Sequence, residues 1–295
     1  MCIRDRSYHA YQYLKDEDFD LILFPEWLGV AYFSIQARRQ GVAFPDTKIC
    51  VQTHSSSLWH ALSDKRTHYG PNDSILFHME RESVRLADFV TSPTQYLLDW
   101  KSRHGFTFPD HTYVQPYLLS YDDVDPTEMP APVRPDEFVF FGRLEERKGI
   151  RHFIDAIDRM VKTAPKEDLE DLTITFLGKF TKSQSRHIVD EIVERSARWP
   201  MAAKILPTLS SSEAQEYLGS GNRVAFICSV ADNSPLTVHE CLHQKLPFIA
   251  SDVGGIPEMI PDEFHKSHLV PLYAPQIAER TVSYTHLTLP TICSV

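Results

Sequence analysis

Glycine is scarce in this chain: 11 of 295 residues, none of them before Gly29, against 20 prolines. Loops that cradle phosphate with their backbone are usually glycine-rich. Such a loop is therefore confined to the few places where glycine occurs. No run of 18 or more apolar residues exists. The densest stretch, Leu21 to Ile35, is broken by Pro25 and Glu26, so no transmembrane helix is predicted. An excess of basic charge is also missing. The net charge is −10, with −6 in residues 1–130 and −4 in the rest. That balance excludes a basic nucleic-acid surface and gives membrane association no support. The five cysteines, Cys2, Cys50, Cys228, Cys241 and Cys293, are odd in number and scattered, so no disulfide framework is predicted. Cys50 and Cys228 sit in apolar runs and read as buried thiols of a reducing, cytoplasmic compartment. No signal peptide is visible, because Arg4-Asp5-Arg6 stands where an apolar region belongs.

What is present is an alternation of short apolar runs with amphipathic stretches. Strands are predicted at 20–25, 48–53 and 87–93, with helices at 29–39, 77–87 and 95–104 between and after them. Residues 122–136 carry four prolines and almost no apolar periodicity, which reads as a linker. The alternation then restarts. Strands are predicted at 137–141, 172–177, 204–206, 223–228 and 247–250, and helices at 148–162, 183–198, 211–218 and 235–243. Strand–helix alternation argues for parallel sheets covered on both faces. The fold class is α/β, with two Rossmann-like domains. The expected organisation is a first domain over 1–125, a linker over 126–136, a second domain over 137–282 and a non-native tail over 283–295. That tail and Met1 to Arg6 resemble translated sequencing-adapter read-through.

Three segments carry chemistry. In Phe141-Gly142-Arg143-Leu144-Glu145-Glu146-Arg147-Lys148-Gly149 a strand delivers a glycine, then two cations next to a helix start. Cations beside free helix N–H groups suit a diphosphate; taken alone they could equally be solvated loop charges. In Cys228-Ser229-Val230-Ala231-Asp232-Asn233-Ser234-Pro235-Leu236 a strand ends in a small polar loop, and a helix begins near Pro235. Asp232, and Glu240 two turns on, can accept hydrogen bonds from sugar hydroxyls. The alternative is an ordinary cap with a buried glutamate. Gly254-Gly255-Ile256-Pro257-Glu258 is a tight turn or a site of close backbone approach.

At this order and spacing the three segments resemble the nucleotide-sugar-binding domain of the GT-B glycosyltransferases, specifically the retaining family 4 (glycosyl transferases group 1). The resemblance covers roughly residues 18–278. It implies two Rossmann-like domains facing a cleft, and a hexosyltransferase-type reaction. A sugar would pass from a nucleotide-diphosphate-sugar to a hydroxyl acceptor on a glycan, lipid or small molecule. Anomeric configuration would be retained, and neither cofactor nor divalent metal would take part. It also implies roles. Arg143 and Lys148, with Gly142, would hold the donor diphosphate. Asp232 and the Asn233, Ser234, Pro235 and Leu236 backbone would hold the sugar and distal phosphate. Glu240 would take the ribose hydroxyls, and Gly254, Gly255 and Glu258 complete the donor set. In the first domain, His54 after a predicted strand occupies the family's histidine position, although a loop histidine without a role fits the spacing too. Glu26-Trp27 lies where acceptor contacts occur in the family. The family's opening strand and glycine-rich loop have no counterpart before Gly29, and the chain leaves the family's pattern near residue 280, before its closing helices, so truncation at both ends is expected.

Other readings compete. One is an inactive nucleotide-sugar-binding fragment, and another is an epimerase or hydrolase of nucleotide sugars on the same fold. His239-Glu240-Cys241-Leu242-His243 matches the zinc-protease pattern H-E-x-x-H, but Leu246 and Ile249 stand where a metzincin continuation needs glycine and histidine. The Asp-x-Asp pairs at Asp16/Asp18, Asp18/Asp20 and Asp123/Asp125 lie before a strand or in the linker and read as solvated charge.

Overall fold

The computed structural model describes residues 3–117, 135–180 and 185–285. The linker expected at 126–136 falls almost wholly outside the described residues, and the expected tail does so beyond residue 285. The chain divides into two compact units, Met1–Leu119 and Ser120–Val295.

In the first unit the chain runs α1 (Ile3–Leu14), β1 (Leu21–Pro25), α2 (Tyr32–Arg39), β2 (Lys48–Gln52), α3 (Ser57–Ser63), α4 (Pro71–Leu86), β3 (Phe89–Ser92), α5 (Gln95–Arg103) and β4 (Thr112–Val114). The strands form one parallel sheet in the order β1-β2-β3-β4, with Leu23 opposite Cys50 and Val51 opposite Val90. Ile22, Phe24, Ile49, Val51 and Val90 pack against Ala31, Ile35 and Val84. Helix α4 begins at Pro71 rather than near residue 77. Proline suits the first helical position, and Asp73 Oδ2 accepts a 2.9 Å hydrogen bond from the Gly70 amide. The helix expected from Gly29 starts at Tyr32 instead. A turn intervenes in which Leu28 takes φ 62°.

The second unit runs β5 (Glu137–Phe141), α6 (Ile150–Thr163), β6 (Thr173–Leu177), α7 (Ser185–Ser196), β7 (Ala202–Leu206), α8 (Ser211–Gly219), β8 (Arg223–Ile227), α9 (Leu236–His243), β9 (Phe248–Ser251), α10 (His265–His268), β10 (Leu269–Val270) and α11 (Ala274–Thr285). Its sheet is parallel, in the order β10-β9-β8-β5-β6-β7. Strand β5 is buried along its whole length, as helices on both faces require. Phe138 and Phe140 point into one core with Phe153, Phe176 and Phe226, while Val139 and Phe141 point into the other. Phe153 of α6 is the hub, its ring centroid 5.7 Å from Phe140, 5.8 Å from Phe176 and 5.4 Å from Phe226.

This order has one consequence for function. The chain leaves β5 toward β6 and β7 on one side, then returns to build β8, β9 and β10 on the other. The reversal lies between β5 and β8, and ligands in open α/β sheets bind outside the carboxyl ends of the strands at such a point. The α/β reading with two parallel sheets holds.

Phe153→Ala is expected to cost about 3–5 kcal/mol of unfolding free energy, read from urea denaturation. A loss below about 1 kcal/mol would show that α6 is not seated as described.

Candidate active site

The loops at the carboxyl ends of β5, β8 and β9 come together through two glycines. Gly149 has φ 75°, and a Cβ there would lie 1.7 Å from the Cys228 carbonyl oxygen. Gly254 has φ 62°, and its Cβ would lie 1.9 Å from the Asp232 carbonyl oxygen. Only glycine permits both that backbone conformation and that approach. The contacts are then closed by hydrogen bonds. The Val230 amide donates to the Arg147 carbonyl at 2.8 Å, and the Gly255 amide donates to the Asp232 carbonyl at 3.2 Å. Ser251 Oγ donates to the Ser229 carbonyl at 2.7 Å.

Charges sit on this frame. Lys148 Nζ donates to Asp232 Oδ2 at 2.5 Å. Ser229 Oγ donates to the same oxygen at 2.8 Å, and the Asn233 amide to Oδ1 at 3.1 Å. Burial raises the Asp232 carboxyl, but the Lys148 charge and hydrogen bond, the Ser229 hydroxyl and the Arg147 charge outweigh it, so it lies below the usual range. Arg147 is buried and donates to Glu145 Oε1 at 2.8 Å and to the Ala231 carbonyl at 3.3 Å. Arg143 is different: its side chain is 50% exposed, 3.2 Å from Glu145 Oε1. One cation thus locks the two loops together, one pairs with the carboxylate, and one reaches outward. An ammonium has three donors, so Lys148 can keep Asp232 and still serve an anionic oxygen.

The structure therefore brings Gly142, Arg143, Lys148, Asp232, Asn233, Ser234, Pro235, Gly254 and Gly255 into one rim. Ser234 Oγ lies 2.9 Å from His239 Nε2. Leu236 is exposed at the start of α9, and Glu258 is exposed on the short turn Pro257–Met259. Glu240 is half-buried on α9, where Ser211 Oγ at the start of α8 donates to it at 2.5 Å. Sequence reasoning missed Glu145, Arg147, Ser211 and Ser229. Among the described residues no group of three or more His, Cys, Asp and Glu side chains is placed to hold a metal ion, and this includes the H-E-x-x-H segment of α9.

In the first unit, His54 follows β2, with Nδ1 2.9 Å from Tyr117 Oη and the two rings stacked. Burial and then the Lys101 charge hold the imidazole below its ordinary pKa. Under this loop lies a buried charge cluster. Lys101 of α5 pairs with Glu26 after β1, both side chains at 0% exposure. Glu26 Oε2 accepts from the His54 amide at 3.2 Å. Glu80 of α4 accepts from the Leu28 amide (3.1 Å), the Ser57 amide (2.9 Å) and Ser57 Oγ (2.7 Å). Trp27 stays 39% exposed, edge-on to His60.

A cationic rim at the switch point of a parallel sheet stands where open α/β folds receive their ligands. The family described as glycosyl transferases group 1 matches residues 135–284, half of the chain, and the chain belongs to that family. Comparison with curated proteins finds no match. Solved structures resemble it along nearly its whole length. An α,α-trehalose-phosphate synthase (UDP-forming) from Burkholderia xenovorans, in complex with glucose-6-phosphate, is 15% identical with a TM-score of 0.68, covering 97% of this chain and 71% of that one. Sucrose-phosphate synthase from Thermosynechococcus elongatus is 19% identical with a TM-score of 0.64, covering 94% and 70%. An E. coli trehalose-6-phosphate protein bound with UDP-2-fluoro glucose is 14% identical with a TM-score of 0.64, covering 96% and 72%. At such identities the likeness is one of fold, and that fold is GT-B. Among the described residues no helix is long and apolar enough to cross a membrane.

Burial, then the Glu26 charge, pushes the Glu80 carboxyl up to about 7, against smaller pulls from Ser57 and Lys101. A carboxyl raised on folding binds its proton more tightly in the folded state. Its stabilising contribution is complete below the unfolded value of 4.5 and is lost as pH rises through 7. Between those limits the wild type should lose ~3 kcal/mol relative to Glu80→Gln, measured by urea denaturation at stepped pH. Parallel curves for the two proteins would contradict the assignment.

Proposed function

We propose that this chain transfers a sugar from a nucleoside-diphosphate sugar to a hydroxyl acceptor, with retention of anomeric configuration. Arg143 and Lys148, rather than a divalent metal, take up the charge of the departing diphosphate. The observation that carries the reading is the rim itself. Two cations, Arg143 and Lys148, stand on the loop after β5, and Lys148 lies 2.5 Å from Asp232, a buried aspartate on the loop after β8 whose carboxylate also accepts from Ser229 Oγ and the Asn233 amide.

The chemistry follows from what each group can do. Cleavage of the bond between the anomeric carbon and the diphosphate oxygen leaves negative charge on the phosphate and an oxocarbenium-like sugar. Donors already in place at that oxygen lower the barrier without reorganising. Arg143, half-exposed, is free to swing its planar fork onto a phosphate. Lys148 is oriented by Asp232 before any ligand arrives. Asp232 stays ionised, and its carboxylate keeps the developing positive charge on the sugar in a favourable field. Glu240, oriented by Ser211, accepts from ribose hydroxyls. The acceptor oxygen attacks from the face the diphosphate leaves, and its proton passes to the leaving phosphate oxygen. His54 donates to a sugar hydroxyl or a phosphate oxygen.

Arg143→Ala and Lys148→Ala should each lower turnover by about 10²-fold or more, the usual cost of losing one preorganised donor. The check is a transfer assay over a panel of nucleotide sugars, with donor hydrolysis followed in parallel. Near-normal turnover in both variants would overturn the phosphate assignment. Donor cleavage that water alone intercepts, whatever acceptor is offered, would make the chain a hydrolase.

A further inference from the structure

Among the described residues, the charged side chains with no exposure at all lie outside the donor site. Lys101, Glu26 and Glu80 are all at 0% exposure, and ionised side chains are almost never fully buried without a reason. Each carboxylate accepts hydrogen bonds from loop backbone. Glu26 holds the His54 amide, while Glu80 holds the Leu28 and Ser57 amides and the Ser57 hydroxyl. Lys101 pairs with Glu26, and its ammonium sits 4.3 Å from the centre of the Phe106 ring. The amides so gripped belong to two loops, the one after β1 that carries Trp27 and the one after β2 that carries His54. Both lie at the carboxyl end of the sheet, where ligands of open α/β sheets bind. Leu28, between Glu26 and Glu80 in this network, is held at φ 62°, a conformation that costs a non-glycine residue of order 1–3 kcal/mol and persists only when its surroundings fix it.

We propose that Glu26, Lys101 and Glu80 form a positioning device that holds the loops after β1 and β2, and through them His54, in the arrangement used for sugar transfer. The proposal rests on the transfer reading for the role of His54. A merely structural cluster would do as well with neutral, well-packed replacements, since exchanging a buried ion pair for apolar groups is often neutral or stabilising. The triad instead ties backbone donors that no apolar group can satisfy. It also sets the electrostatics around His54, which faces Lys101, Glu26 and Tyr117.

The test uses Glu26→Leu/Lys101→Met, which removes both charges together with the acceptor of the His54 amide, and Ser57→Ala, which deletes one ligand of Glu80 and leaves the pair intact. Thermal unfolding, transfer kinetics and the nitrogen resonances of His54 in histidine-labelled protein are measured for each. The double variant should remain folded, with its apparent KM for donor within about twofold and kcat lower by about tenfold or more, the scale expected of a misplaced group. Its His54 titration should shift upward, because the Lys101 charge is gone. Ser57→Ala should move the His54 resonances and lower kcat less. If the double variant does not fold, Ser57→Ala decides alone. Folded variants with unchanged kcat and unchanged His54 resonances would overturn the proposal. If wild type shows no transfer while the variants still shift His54, the transfer reading fails and the positioning stands.

Discussion

The second unit depends on backbone contact between neighbouring strand ends. Gly149 lies against the Cys228 carbonyl and Gly254 against the Asp232 carbonyl, at separations that leave no room for a Cβ. The geometry of this rim is set by that approach. It lets Arg147 reach the Ala231 carbonyl and lets Lys148 meet Asp232. The sheet order supplies the reason for the location, because the chain reverses direction between β5 and β8 and opens a crevice there. The aromatic core beneath, centred on Phe153, keeps β5 and β8 in register, so that the two loops emerge side by side.

The two units treat buried charge differently. At the rim of the second unit, Asp232 is buried but surrounded by hydrogen-bond donors, and its carboxyl is held low. In the first unit two carboxylates share one lysine, and desolvation wins: Glu26 and Glu80 are both pushed up and Lys101 is pushed down. The first arrangement suits a site that must present fixed charge to a phosphate. The second suits a clamp whose job is to hold backbone amides, since a carboxyl oxygen accepts hydrogen bonds in either protonation state.

Much of this was legible in the sequence, and the failures have physical causes. Strands such as β5 and β8 were clear because each is short, apolar after its first residue (Glu137 and Arg223) and followed by glycine or small polar residues. The candidate rim was legible because its residues cluster in three short segments whose order and spacing carry the pattern. Helix α3 and the true start of α4 were missed, since their signals are single side chains, Ser56 accepting from the Trp59 amide and Asp73 reaching back to Gly70. The triad was invisible because Glu26 and Lys101 are 75 residues apart. Lys101 lies in Gln95–Arg103, where a lysine beside acidic and polar neighbours reads as a solvated face. Glu145 and Arg147 were hidden likewise, since a charge run on a loop gives no sign that one member turns inward.

We propose that the rim formed by residues 142–149, 232–236 and 254–255 receives a nucleoside diphosphate. Backbone hydrogen exchange, with and without a saturating panel of nucleoside diphosphates, tests it most directly, because it needs no knowledge of sugar or acceptor. At least one diphosphate is expected to slow exchange in these three segments together, and the matching nucleoside without phosphates is not. Protection confined to other segments, or equal protection by the phosphate-free nucleoside, would contradict it.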